Sequence, residues 1–183
     1  MAPHWRSKPD VRIVGIDLAA LPKNPTGICI VRAKNTELFT LHEDDEILAV
    51  IRTEKPQIVA IDAPLMDEVR VREADRQLKK YGAMPPTMPS MRKLVERARQ
   101  LVEKINCPVI EVFPTATAKI LGVYSKNWRE MAEKLRIKAR SKHELDAYLA
   151  AYTAYLYLHG RAREVGEKEK IVIPKESQHH KGF

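Results

Sequence analysis

The sequence predicts an α/β protein: a mixed β-sheet with helices on both faces. Three observations lead there. Val- and Ile-rich runs that end on an acid or a proline recur at 11–18, 57–62 and 109–113, the pattern of strands covered on both sides. Helical periods separate the later runs, as crossover connections require. The first run is followed by two more strands whose connections are too short for crossovers, so these three form an antiparallel meander.

Taken in order, the first strand is Val11-Arg-Ile-Val-Gly-Ile-Asp17-Leu18. The loop 19–27 is marked by Pro22, Asn24, Pro25 and Gly27. Thr26 to Arg32 is the second strand, Lys34 and Asn35 a tight turn, and Thr36 to Leu41 the third strand. Residues 43–54 predict a helix whose first turn is acidic, where the helix dipole favours negative charge. Its apolar stripe is Ile47, Val50 and Ile51. Gln57 to Asp62 repeats the opening pattern and is stopped by Ala63-Pro64. The right-handed crossover rule sets this fourth strand parallel to the first, most simply beside it.

Residues 65–106 are highly charged and mostly helical, with helices expected at 71–81 and 91–105. Between them Gly82 to Ser90 holds three prolines, which no regular element tolerates, and Ser90 is the expected cap of the second helix. Val109 to Phe113 is the fifth strand. Short helices follow at 115–121 and 128–136. Ser141, with Glu144 three residues on, predicts a capping box for a last helix at 142–159 that ends at Gly160. The run Ile171 to Pro174 is expected as an added edge segment, and the last nine residues as a loose tail. No internal repeat or low-complexity linker divides the 183 residues, so the expected organisation is a single domain.

Composition narrows the function classes. Hydrophobic residues make up 44% of the chain, enough for a core, and the net charge of +8 favours polyanionic partners, nucleic acid first. The plain alternative is a generally basic proteome. The two cysteines, Cys29 and Cys107, have no metal-ligand spacing and read as small buried apolar groups in a reducing cytosol. No apolar run approaches the ~20 residues of a membrane span, and 1–10 has no signal-peptide core. The expected location is the cytoplasm.

The acids carry the chemistry. Side chains alternate along a strand, so Ile13, Gly15 and Asp17 share a face, as do Ile58, Ala60 and Asp62, and Val109 and Glu111. Gly15 and Ala60, each two residues before its Asp, leave room for another element to approach the sheet. The last helix suits that approach, because Ala147, Ala150, Ala151 and Ala154 fall at helical spacings of three and four. At 3.6 residues per turn Asp146 and His143 lie about 60° apart on that helix. It would present both toward the strand acids. Several carboxylates from separate elements repel one another unless a cation lies among them. Mg²⁺ or Mn²⁺ is the economical answer, since hard divalent ions take carboxylate oxygens and are completed by substrate phosphates. Each residue has a bland alternative: a turn-capping role for Asp17 and Asp62, an ion pair with Arg140 or Lys142 for Asp146, a salt bridge to an arginine of 65–106 for Glu111, and a polar helix start for His143.

The segments IVGIDLA, IVAIDAPL, READRQLKKYGA, VIEVFPTATAKILG and KHELDAYLAAYTAYLYLHG together resemble the DUF429 family of predicted nucleases with a ribonuclease H-like fold, over about 11–174. The resemblance implies a five-stranded mixed sheet of order 3-2-1-4-5, with a helical insertion between strands four and five. It implies metal-binding acids at Asp17, Asp62 and Asp146. His143-Glu-Leu-Asp146-Ala147 also resembles the His/Asp-x-x-Asp-Ala signature of RuvC-type junction resolvases, which makes His143 a candidate fourth ligand or base.

Phosphate contacts have four candidates. Arg72 and Arg76 are i, i+4 neighbours that could clamp a phosphate, and Arg140 and Lys142 precede the last helix. Tyr148, Tyr152 and Tyr155 form a stripe that reads as packing against the sheet or a dimer partner. The expected function is metal-dependent hydrolysis of nucleic acid, DNA or RNA. One rival is a non-catalytic nucleic-acid binding module. The other is a phosphotransfer enzyme acting on a nucleotide or small molecule, against which stands the lack of a Gly-rich phosphate loop with its lysine. A resolvase-like role would favour a homodimer.

Overall fold

The computed structural model describes residues 11–33 and 35–176. The expected turn residue Lys34 and most of the expected loose tail lie outside the described residues. The sheet has seven strands: β1 Arg12–Asp17, β2 Thr26–Arg32, β3 Asn35–Leu41, β4 Ile58–Asp62, β5 Val109–Val112, β6 Ala162–Val165 and β7 Ile171–Pro174. Their order is β3-β2-β1-β4-β5-β7-β6. The first five keep the expected order, and the expectation of five strands falls short by a hairpin. Pro174 belongs to β7, which pairs parallel to β5 and antiparallel to β6. Ile171 to Pro174 is therefore an interior strand, and the edge is β6. Polar Arg163 and Glu164 in β6 hide that strand from an apolar-run reading, and Gly166, with φ of 95°, makes the turn into β7 that other residues adopt at a cost.

β1 and β4 are parallel and directly paired, as the crossover rule required. The helices are α1 Asp44–Glu54, α2 Glu73–Leu78, α3 Pro89–Val102, α4 Pro114–Ile120, α5 Trp128–Leu135 and α6 Lys142–Leu158, with a 3-10 turn at Lys79–Tyr81 after α2. α3 starts one residue before Ser90. Its cap is Met88, and Pro89 takes the first helical position, where its missing N–H costs nothing and its φ is already helical.

Two cores sandwich the sheet. On one face Ile13, Ile58 and Ala60 pack under the alanine face of α6, with α4 and α5 alongside. On the other Val14, Ile16, Val59 and Ile61 pack under α1 and α3. A third cluster, with Ala74, Leu78, Ala116, Val165 and Ile173, ties α2 and α4 to the β6–β7 hairpin. α3, within the expected insertion, thus covers the sheet on the way from β4 to β5. Arg97 of α3 is buried and fastens it down: its guanidinium donates to Asp44 Oδ1 at 2.8 Å, to the carbonyl of Ala19 at 2.7 Å and to that of His42 at 2.7 Å. Cys29 is buried and Cys107 partly so, both as free thiols. Among the described residues no helix is long and apolar enough to cross a membrane.

Candidate functional site

The site forms where β1 and β4 end side by side. Their register sets Asp17 directly opposite Asp62, and parallel partners point to the same face of a sheet. That face belongs to α6, which lies against it closely. A Cβ added to Gly15 would fall 2.2 Å from the carbonyl oxygen of Ala147, and one added to Gly27 would fall 2.0 Å from that of His143. Both distances are far inside van der Waals contact, so glycine at these two positions is what lets the helix reach the strands. Gly27 is the register partner of Asp17. The first turn of α6 is therefore lowered onto β2 beside the first acid.

Ser141 starts α6 by accepting a hydrogen bond from the N–H of Glu144 at 3.1 Å. The reciprocal half of the expected capping box is absent, because the Glu144 carboxylate accepts instead from the N–H of Arg140 at 2.7 Å. With the helix fixed there, His143 Nδ1 sits 2.7 Å from Asp17 Oδ2, and Lys142 Nζ donates to Asp146 Oδ2. The hydrogen bond to Asp17 holds His143 above the ordinary imidazole range. Among the described residues Asp62 has no such partner. Burial, then the charges of Asp17 and Asp146, push its carboxyl well above the usual carboxylate range, with Lys142 opposing. Burial raises Asp146 as well, with Lys142 pulling it down and Asp17 pushing it up. Three carboxylates from β1, β4 and α6 therefore feel one another, and two of the three hold a cationic partner.

The walls divide this region. Asp17 and Asp62 line one cleft of about 320 Å³, shared with Leu94, Phe113 and Met84. Asp146 and Lys142 line a smaller neighbouring recess of about 90 Å³ with Tyr124 and Met131. Thr115 borders both.

Glu111 stands differently from the strand-end aspartates. Its register partner is Ile61, not Asp62, so it points to the opposite face of the sheet. There Arg72 grips it through two bonds, Nη1 to Oε2 at 2.6 Å and Nη2 to Oε1 at 2.7 Å. The N–H of Leu65 donates to Oε2 as well, at 2.7 Å. Burial pushes Glu111 up to about 7, with the Arg72 fork acting against that rise. Arg72 also binds Asp75 through Nη2 and Nε, at 2.9 and 3.1 Å. Arg72 is buried at both its carboxylate partners, whereas Arg76 is exposed and meets Glu73 at 3.5 Å. The expected Arg72–Arg76 phosphate clamp is not formed, because the guanidinium that would make it is already spent. Arg140 is largely exposed, reaching Glu144 at 3.3 Å and the carbonyl of Leu38 at 3.1 Å. Of the tyrosine stripe, Tyr148 and Tyr155 are buried in the α6 core, and Tyr152 stacks on Tyr155 with ring centroids 6.2 Å apart.

Comparison with protein-family models finds no match. Comparison with curated protein sequences finds none either. Among solved structures the chain is similar to RuvC of T. thermophilus in complex with a Holliday junction substrate, with a TM-score of 0.51 over 82% of this chain and 96% of that one, at 15% identity. The chain shares the RuvC fold.

A divalent ion can be tested against these donors. Their chemistry fits a hard cation: all three are carboxylates, and Asp62 is pushed toward protonation by burial and then by neighbouring negative charge, with no hydrogen bond among the described residues to relieve it. Among the described residues, no three His, Cys, Asp or Glu side chains are already gathered around one point. The intramolecular cations Lys142 and His143 occupy Asp146 and Asp17 instead.

Proposed function

We propose that this protein is a metal-dependent phosphodiesterase acting on nucleic acid. The observation that carries the reading is the set Asp17, Asp62 and Asp146, drawn from β1, β4 and α6, in which burial first and neighbouring carboxylate charge after it raise Asp62 and Asp146. Such a set is costly to the fold unless a cation serves it. The RuvC fold supports the same reading, since the similar structure is bound to a Holliday junction substrate. The DUF429 resemblance rests on its motifs.

Asp17, Asp62 and Asp146 would hold Mg²⁺ or Mn²⁺, which supplies Lewis-acid stabilisation of charge on the phosphodiester and a water activated at neutral pH. The chain's own groups do the rest. His143 shares a proton with Asp17 at Nδ1, which places a proton carrier at the first acid. Lys142 is tethered at Asp146 and has its charge within reach of Asp17 and Asp62. Were Asp146 to hold an ion, Lys142 would be free to meet a phosphate oxygen. Arg140, exposed one turn before α6, extends that cationic edge. In this reading Glu111 and Arg72 fasten α2 to β5 and take no part in the reaction. A homodimer is the assembly a junction-resolving role would favour.

One observation favours a second reading, a nucleic-acid binding module without catalysis: the aspartates' cationic partners are already in place within the chain. The two readings separate on one experiment. Purified protein is incubated with labelled single strands, duplexes and branched DNA and RNA in Mg²⁺, Mn²⁺ or EDTA, beside an Asp17→Asn variant. The nuclease reading expects divalent-dependent cleavage that Asp17→Asn abolishes while circular dichroism stays unchanged. Binding with no cleavage in any metal would establish the second reading, and undiminished cleavage by the variant would remove Asp17 from the site.

A further inference from the structure

The cleft beside Asp17 and Asp62 is not itself suited to phosphate. Its acidic lining, Asp17, Asp62, Asp75 and Glu111, outnumbers its one buried cation, Arg72, whose fork is already divided between Asp75 and Glu111. An anion inside it would meet net negative charge. Its other walls are apolar: Met84, Met91, Leu94 and Phe113. Met84 stands 54% exposed, which is unusual for a large apolar side chain unless something covers it. Methionine is flexible and polarisable, and makes favourable contacts with aromatic rings. The cleft's volume of about 320 Å³ falls at the small end of ligand pockets, roughly 300–1,000 Å³. Between Met91 and Leu94 in the sequence of α3, Arg92 and Lys93 are exposed.

Apolar walls, carboxylates that repel a free anion, and exposed cations on the same stretch of α3 describe a ligand with a flat neutral ring joined to a phosphate. We propose that this cleft seats one unpaired nucleobase of the substrate strand, next to the phosphodiester at Asp17 and Asp62, with Arg92 and Lys93 on the adjoining backbone. The substrate class is therefore nucleic acid with an unpaired base at the cleavage site. A base stacked in a duplex cannot enter a side pocket without leaving the stack, and that exit is least costly where the base is already unpaired. This inference rests on the nucleic-acid reading above, and the cleft segment 82–94 is what it adds to the sheet acids.

The test is a binding comparison using the Asp17→Asn protein with Mg²⁺ at one fixed salt concentration, so that cleavage does not consume the probe. Three labelled duplexes, made in DNA and in RNA, are identical except at one nucleotide, which is unpaired, abasic or fully paired. Fluorescence anisotropy should show the unpaired probe binding about tenfold tighter than the abasic one, the order of effect of stacking a single base. Adding Met84→Ala and Met91→Ala should bring that ratio toward one while leaving the affinity of the abasic probe unchanged, a pattern that general unfolding does not produce. Equal binding of unpaired and abasic probes, with metal-dependent cleavage by the unmodified protein intact, overturns the base pocket alone. Failure of every probe to bind overturns the pocket and the nucleic-acid reading together.

Discussion

Asp62 is the residue on which the site's electrostatics turn. It lies beside Asp17 in register, and burial and then neighbouring charge push its carboxyl up, with no hydrogen bond among the described residues to hold it down. A raised carboxyl binds more protons in the folded chain than in the unfolded one, so stability is present below the unfolded value and is lost as pH rises through the folded value. In EDTA, Asp62→Asn should therefore melt above the unmodified protein at pH 8, by about 2–4 °C for each kcal/mol gained in a chain of this size. The gap should close as the pH is lowered to about 4, the ordinary range of an aspartate, and differential scanning calorimetry across that range checks it. Lys142 gives a companion result. It competes for Asp146 with any ion the site takes, and removing one positive charge at contact distance is worth about 1 kcal/mol or more. Lys142→Met should bind Mn²⁺ about five- to tenfold more tightly by titration calorimetry, and unchanged affinity would place the ion away from Asp146. Asp17 and Asp62 were legible in the sequence because an acid closing an apolar run is a local signal, and Asp146 because it starts the small-residue face of the last helix. The face of Glu111 was not legible. Counting alternation within β5 cannot show that its register is offset by one from the aspartates, so that it pairs with Ile61.

At the level of elements, α2 is held to the sheet by a buried charge network as well as by the apolar contacts of Ala74 and Leu78. It is six residues long, shorter than a helix that is stable alone, and its anchor is Arg72 between Asp75 and Glu111, all three buried. Removing one member of such a network leaves buried charge without a partner, at a cost of about 3–5 kcal/mol. Arg72→Met should lose stability of that order in urea denaturation, and adding Glu111→Leu should recover part of it. If Arg72→Met were as stable as the parent, the fork would be no anchor. The sequence showed Arg72, Glu73, Asp75 and Arg76 as a charged helix face. Which guanidinium turns inward depends on β5 passing beneath, a contact 39 residues away. The β6–β7 hairpin was half legible for a similar reason. Ile171 to Pro174 announces a strand, but nothing local says that it will slot between β5 and a polar β6.

For the whole molecule, sheet order was the most legible feature. The short connections of β1, β2 and β3 and the right-handed crossover to β4 leave few arrangements open, and the first five strands take the expected one. The net charge of +8 is the other property of the whole chain, and it bears on binding rather than folding. Five cations lie in or next to segments that form the site: Arg92 and Lys93 on α3 between Met91 and Leu94, and Lys138, Arg140 and Lys142 before and at the start of α6. All five are exposed. If each neutralises one phosphate, the released counterions set the salt dependence of binding. The slope of log affinity against log salt should be about −4.5 for a duplex and about −3.5 for a single strand. Between 50 and 200 mM salt this amounts to a loss of roughly two orders of magnitude for a single strand and nearly three for a duplex, measurable by anisotropy on the Asp17→Asn protein. Replacing Arg92 and Lys93 together by Gln should make the slope shallower by nearly two while leaving the fold intact, since both side chains lie in solvent. A slope near zero would mean that the protein's positive charge is not used on phosphates and would remove nucleic acid as the partner.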